Sequence, residues 1–459
     1  VYIKLIILPK DVLRMLTRNQ PDLSGNITVI SIEDLVPKNH LIRKIKKSID
    51  FSFIYDIVED LYSDSTGRPS IDPVVLFKIV FIQYLFNIRS MRRTIEDIEV
   101  NAAYRWFLGF DFNSEVPHFS TFSKNYERRF KDSNVFKEVF NSIVAQAFMR
   151  NLIEPDNLFV DSTHVKAYAN KRRVVEVVAS ASTTKYIDAL HDEINTVRLL
   201  EEKPSIDFDK PKKVVKSLTD PDCGMFHKGE KERQLAYSNQ VISDENGWVL
   251  ESQVYPGNLH DGITGQDIIL PYLDNNKDVK VVVVDSGYNN PILLREIFNR
   301  QVLPIIPYQR PKGPRSTNID AFTKKQFQFI ENENYYLCPN HKILSYRGVS
   351  KDGYFTYRSK TKDCRNCPFL NRCTNQKVKV ITRHPYENST EYANQIRLTP
   401  LAKQIYPKRK SSIERVFGLS KMNHCLGVTY LRGLKKNEDR SFIIFASHNM
   451  AKLARLIAE

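Results

Sequence analysis

The stretch that most constrains the fold is Lys280 to Asn290, KVVVVDSGYNN. Four β-branched residues in a row, Val281 to Val284, fit a pleated strand, and a run with no polar break needs apolar cover on both faces. Asp285 follows at once, and Gly287 two places later. The carboxyl ends of central strands are where open α/β sheets place their ligand chemistry. Pro291 suits the first turn of a helix over PILLREIFNR, with Asn290 as its cap. Taken alone, Asp285 reads equally as a strand-ending residue that caps its own turn. Two further segments with acids of the same kind turn the reading toward chemistry.

The chain has 459 residues, room for two or three domains, and 42% of them are hydrophobic, which excludes a disordered chain. With 68 Lys and Arg against 53 Asp and Glu, the formal net charge of +15 favours a polyanionic partner. The charge is spread widely, so composition does not choose between DNA, RNA and an anionic membrane. No apolar run reaches the length of a membrane span. The opening VYIKLIIL is too short for a signal peptide and reads as a strand or a start-site remnant. Six cysteines are too few for a disulfide framework, and their clustering points to a metal.

Residues 1–150 read as a helical module. Ser70 or Asp72 caps a helix with Pro73 in its first turn and Leu76, Ile79, Val80 and Tyr84 at helical spacing. A second helix carries Met91, Ile95 and Ile98 and ends near Asn101. PHFSTFSKNYERRF, capped by Ser120 or Thr121, exposes Lys124, Arg128 and Arg129, as a DNA-binding helix would and as a solvated surface helix also would. At Asn157 the composition shifts. Residues 151–299 give a strand Leu158–Ser162 bearing Asp161, the basic triplet Lys171, Arg172 and Arg173, and a long polar helix over roughly 176–203. LAYSNQVIS and WVLESQVYP then flank DENG, a strong hairpin signal, ahead of the valine strand. The sum is a mixed sheet covered by helices. Residues 300–395 read as a β-rich insertion, and 396–459 as two closing helices: one capped by Ser411 or Ser412, and a final amphipathic one with Ile443, Ile444, Ser447 and Met450 inward.

Glu414 is the third acid. On its helix Lys410, Glu414 and Lys421 share a face, beside a buried stripe of Ile413, Val416 and Phe417. A surface Glu in helix salt bridges fits the same spacing. Asp161, Asp285 and Glu414 together are hard oxygen donors suited to Mg²⁺ or Mn²⁺. Two such ions activate a water or 3′-hydroxyl and stabilise the leaving oxygen at a phosphate, with basic side chains such as Lys410, Arg415 and Lys421 to hold DNA. Cys338, Cys364, Cys367 and Cys373, with His341 as a substitute ligand, are a candidate Zn²⁺ site holding one C-x-x-C rather than the usual two. Reduced, buried thiols are the other reading. Cys223 and Cys425 read as core, and Asp220 and Asp222 as turn residues.

FVDSTHVKA, VVVVDSGYNN and SSIERVFGLSKMNHCLG resemble the three blocks of DDE transposases from bacterial insertion sequences, and PSIDPVVLFKIVFIQYLF with PHFSTFSKNYERRF resembles their helical N-terminal module. The four-cysteine insertion is similar to the IS-eleven-eighty-two branch. The resemblance covers about residues 60 to 455. It implies a ribonuclease-H-like α/β fold, a catalytic metal-binding triad of Asp161, Asp285 and Glu414, and Mg²⁺ or Mn²⁺ as cofactor. It implies cleavage and strand transfer at the ends of the element's double-stranded DNA, by a homodimer assembled on DNA in the bacterial cytoplasm, at the nucleoid. In that family a Tyr, an Arg and a Lys flank the Glu at minus seven, minus four and plus seven. Here Lys421 matches, Lys410 stands in the Arg position, Pro407 in the Tyr position, and Tyr406 is one place off. GNLHD, Gly257 to Asp261, also resembles a family segment and reads as a structural turn. A transposase-derived DNA-binding repressor without catalysis, and a nuclease of the same fold, are the alternatives.

Overall fold

The computed structural model describes residues 29–63, 70–179, 184–208, 211–228, 232–308 and 321–457, so the expected opening strand VYIKLIIL lies outside the described residues. Helix α1 (Pro73–Leu85) begins as its sequence requires, with Asp72 accepting from the Val74 and Val75 amides at 2.7 and 3.2 Å. Ser90 caps Met91–Val100 in the same way, and Asn101 closes that helix while capping the next, Ala102–Leu108. The expected basic helix is short, Ser120–Asn125, and widens into a π-helical turn over Tyr126–Phe130.

Strands β1 (Asn157–Lys166), β2 (Gly224–Lys228), β3 (Glu232–Ser243), β4 (Val249–Pro256), β5 (Val281–Val283) and β6 (Leu303–Ile305) form one sheet. β1, β5 and β6 run parallel, with the valine strand β5 in the middle and fully covered. On the other side β3 pairs antiparallel with β1, and its outer edge takes β2 along its first half and β4 along its second. The hairpin from β3 to β4 turns at Gly247, where φ is +79° and glycine avoids the Cβ clash. Between β4 and β5 runs helix α2 (Asp261–Asn275).

The long polar helix expected over 176–203 is a strand, Val174–Ala179, paired with Lys212–Ser217, and then a shorter helix, Lys185–Leu200, capped by Thr184. Val174, Val175, Val177 and Val178 explain the difference, since β-branched side chains favour a pleat over a helix. The insertion holds a five-stranded antiparallel sheet running from Gln328–Ile330 to Val380–Arg383. It encloses its own core of Phe327, Tyr336, Leu344, Tyr357 and Ile381.

Helix α3 (Ile413–Asn423) packs against β1 and β3, and helix α4 (Leu434–Leu456) crosses the same face. α4 is buried along most of its length, not on one stripe as its sequence suggested. Its polar residues bond the sheet in place of water: Ser441 with Asn239 and Ser252, each at 2.8 Å, and Asn449 with both backbone groups of Val249. Its other side meets α1 and the helix Val135–Phe148, so N-terminal helices, sheet and α4 share one apolar core. Among the described residues no helix is long and apolar enough to cross a membrane.

Candidate active site

Phe159 on β1 lies beside Val283 on β5 in parallel register. Asp161 and Asp285, each two residues further on, therefore stand side by side just past the end of that parallel pairing, Asp161 still within β1 opposite Val241 and Asp285 beyond the end of β5. Asp285 also caps its turn, accepting from the Gly287 amide at 2.6 Å, so the structural and the chemical readings of this residue are compatible. Burial pushes the Asp161 carboxyl up to about 7; Arg409 opposes that rise and Asp285 adds to it. Burial raises Asp285 as well, against the Gly287 amide bond.

The cation that meets this pair is Arg409. Its Nη2 donates to Asp161 Oδ2 at 2.6 Å, its Nη1 lies 3.3 Å from the Tyr406 hydroxyl, and its buried Nε has no partner among the described residues. Lys410, which the family spacing put in the arginine position, is exposed instead. Tyr406 and Arg409 keep the Tyr-x-x-Arg spacing between themselves, and both are displaced one place from Glu414. That shared displacement was the available signal. Four residues after Arg409, beyond the short turn Tyr406–Lys410, α3 begins at Ile413.

A further acid joins the pair from the GNLHD segment. Asp261 starts α2, whose cap is His260 accepting from the Gly262 amide at 3.1 Å. Gln240, fully buried on β3, donates to Asp261 Oδ1 and to Thr264 Oγ1, each at 2.8 Å, and accepts from the Tyr288 hydroxyl. A Cβ at Gly287 would stand 2.9 Å from Asp285 Oδ1 and 3.1 Å from Asp261 Oδ2, which places those two oxygens within about 6 Å of each other. The sequence marked this segment only as a turn.

Glu414 occupies the first turn of α3, on the face of the sheet that carries Asp161, and is exposed. Among the described residues no three His, Cys, Asp or Glu side chains are disposed to hold one metal ion. The trio expected at Asp161, Asp285 and Glu414 is thus present as a half-buried pair and an exposed third. The donor chemistry of the pair still fits a hard divalent cation: two adjacent half-buried carboxylates, both raised, face a single guanidinium.

The four insertion cysteines are half-buried and unpaired, and Cys338 and Cys373 pack on the aromatic core of that sheet. Burial, opposed by Lys379 and reinforced by the other three thiols, raises Cys373. Among the described residues they are not disposed as a set of metal ligands, and the sheet has an aromatic core of its own beside them. Of the expected DNA contacts, Lys124, Arg128, Arg172, Arg173, Lys410, Arg415 and Lys421 are exposed. Arg129 is not available in the same way: it bonds Asn125 and lies 4.5 Å over the Tyr62 ring. Asp220 and Asp222 are structural. Asp220 accepts from the Tyr237 hydroxyl and the Gly433 amide, and Asp222 from the Leu434 amide at the start of α4.

Residues 30–128 match a family described as a transposase domain (DUF772), and residues 337–454 match the transposase DDE domain. The second match spans Arg409 and Glu414. No curated protein matches the sequence. Among solved structures, a cryo-EM piggyBac transposase synaptic complex with hairpin DNA aligns over 92% of this chain and 77% of that one, at 9% identity and a TM-score of 0.30, a likeness too slight to argue from.

Proposed function

We propose that this chain, a DDE transposase of the insertion-sequence kind, binds the ends of its own element and catalyses metal-dependent DNA strand cleavage and strand transfer. The observation that carries this reading is the placement of Asp161 beside Asp285, where the parallel pairing of β1 with β5 ends, with Arg409 against them. The strand order supports a ribonuclease-H-like catalytic domain over 151–299 and 396–459, interrupted by the insertion 300–395 and preceded by a helical DNA-binding module. The protein acts at the nucleoid, as a homodimer when assembled on DNA.

Asp161 and Asp285 would hold the ion, with Glu414 as the third donor. Bound there, Mg²⁺ or Mn²⁺ supplies Lewis-acid polarisation of the phosphodiester and of the attacking water or 3′-hydroxyl. Arg409 fixes one Asp161 oxygen and keeps a buried Nε–H free for a phosphate oxygen. Gln240 and Thr264 hold Asp261 in place, so the acidic end of the sheet keeps its shape under its own repulsion. Lys124, Arg128, Arg172, Arg173, Lys410, Arg415 and Lys421 neutralise phosphates along the duplex. The test is cleavage of a fragment carrying the gene's own flanking DNA in Mg²⁺, wild type against Asp285→Ala. Cleavage by wild type alone supports the reading. Equal cleavage by both proteins would remove Asp285 from the chemistry and overturn the site, and binding with no cleavage by either favours the repressor.

A further inference from the structure

β1 does not stop at the acids. Lys166, at its end, is bridged to Val428: the Lys166 amide donates to Gly427 O at 3.1 Å and Lys166 O accepts from the Thr429 amide at 3.0 Å. The segment after α3 is thereby laid parallel to the last residues of β1. This brings Tyr168 and Tyr430 together, ring centroids 5.9 Å apart and planes at 60°. Both rings stay open to solvent, at 53% and 52% exposure, and Val428 and Leu431 beside them are also exposed. Arg432 completes the group. Its guanidinium carbon is 5.1 Å from the Tyr168 ring centroid, and its Nε donates to Tyr168 O at 3.3 Å. Exposed apolar and aromatic side chains grouped in this way, rather than scattered singly, offer a binding surface.

Charge says what binds there. Lys166, Lys171, Arg172 and Arg173 are exposed on the adjoining chain. Tyr430 and Leu431 also rim a cavity of about 680 Å³ whose wall includes Arg89, Lys421 and Arg440. Exposed aromatic faces set among cations match a nucleobase joined to phosphates. In a duplex the π-faces are hidden in the stack, so only a base out of the stack can use these rings. We propose that Tyr168, Tyr430 and Arg432 form a stacking site for an unpaired nucleobase of the bound DNA strand. The proposal rests on the reading of the chain as a DNA-cutting enzyme and deepens it. Tyr168 is seven residues beyond Asp161, at most about 23 Å of extended chain. The stacked base therefore lies on the order of six nucleotides or fewer from the cleaved bond, at about 3.4 Å per nucleotide along one strand.

The test uses the full chain and two probes: a blunt 20-base-pair duplex, and the same duplex with an eight-nucleotide oligo-dT overhang carrying one 2-aminopurine. The wild type is expected to bind the overhang probe more tightly and to change the 2-aminopurine emission. Tyr168→Ala with Tyr430→Ala should lose roughly tenfold to a hundredfold in affinity for the overhang probe, with duplex affinity unchanged. Tyr168→Phe with Tyr430→Phe should keep most of the wild-type affinity for the overhang probe, and the unchanged duplex affinity of the alanine variant excludes a folding defect. Equal losses on both probes, no loss on either, or a change in oligomeric state with unchanged DNA affinity would each overturn the stacking site. Failure of the wild type to bind either probe would instead overturn the DNA-cutting reading, and this site with it.

Discussion

Arg409 Nη2 stands 2.6 Å from Asp161 Oδ2, and Arg409 is itself buried. Two charges that have left water together depend on each other. Removing one leaves the other uncompensated, at a typical cost of about 3–5 kcal/mol. Arg409→Ala is expected to lower the unfolding free energy by about that amount unless Asp161 takes up a proton, and to abolish cleavage. Arg409→Lys should keep part of the stability but lose the fixed geometry of the guanidinium. Urea unfolding and the cleavage assay check both, and an Arg409→Ala protein as stable as wild type at pH 8 would contradict the pairing.

Asp161 gives a pH dependence with a definite sign. Its folded-state carboxyl is pushed up to about 7, chiefly by burial, above its ordinary value of about 3.9. The folded protein thus holds a proton that the unfolded chain releases, and stability falls as pH rises from about 4 through 7. In metal-free buffer Asp161→Asn should lack this slope. The gap between the two proteins should widen from pH 5 to pH 8, with wild type falling behind by up to a few kcal/mol. Parallel curves would show that Asp161 ionises normally.

Asp285→Asn should leave DNA binding intact and cut cleavage by at least about a thousandfold, as expected when one ligand of a metal-assisted phosphate reaction is neutralised. Glu414→Gln should do the same, although Glu414 is exposed and outlying in this structure. Band-shift and cleavage assays run side by side separate binding from chemistry. A Glu414→Gln protein with full activity would remove Glu414 from the catalytic set.

Gly265 lies against Tyr288: a Cβ there would come within 2.7 Å of the ring. Tyr288 in turn donates to Gln240, which holds Asp261. Gly265→Ala is therefore expected to cost about 1–3 kcal/mol through overpacking and to reduce cleavage, while Gly418→Ala, with open space around it, should be neutral or better. Thermal melts of the two variants test the contrast.

The basic residues divide by environment. Alanine at Lys124, Arg128, Arg172 or Arg173, all exposed, should each lower the salt slope of DNA binding by about one unit. Arg129→Ala, losing its bond to Asn125 and its place over Tyr62, should destabilise the helical module with little change of slope. Binding titrated across salt concentrations distinguishes the two.

The valine strand, the helix caps at Asp72 and Asn290, and the hairpin at Gly247 were legible in the sequence because each depends on neighbours only a few residues away. The strand Val174–Ala179 had a local signal in its four valines, but the polar helix that follows it masked the boundary, and its partner Lys212–Ser217 lies beyond that helix. α4 misled for a related reason: its Ser and Asn residues look solvated until the sheet that bonds them is in place. Within the candidate site the two aspartates could be read from their apolar strands, Asp161 on one and Asp285 just past the other. Arg409 and Asp261 could not, since one is shifted by a residue and the other arrives from a turn whose charge matters only beside Asp285.

The burial of α4 also bears on how the chain comes to fold. α1 packs its apolar surface on a helix that begins about 350 residues later, and ribosomes add about 5–20 residues per second. During synthesis α1 and Val135–Phe148 must wait on the order of twenty seconds to a minute for their partner. A nascent chain that displays so much unpaired apolar surface for so long is a natural client of chaperones, and lowering the growth temperature or co-expressing them should decide whether soluble protein is obtained.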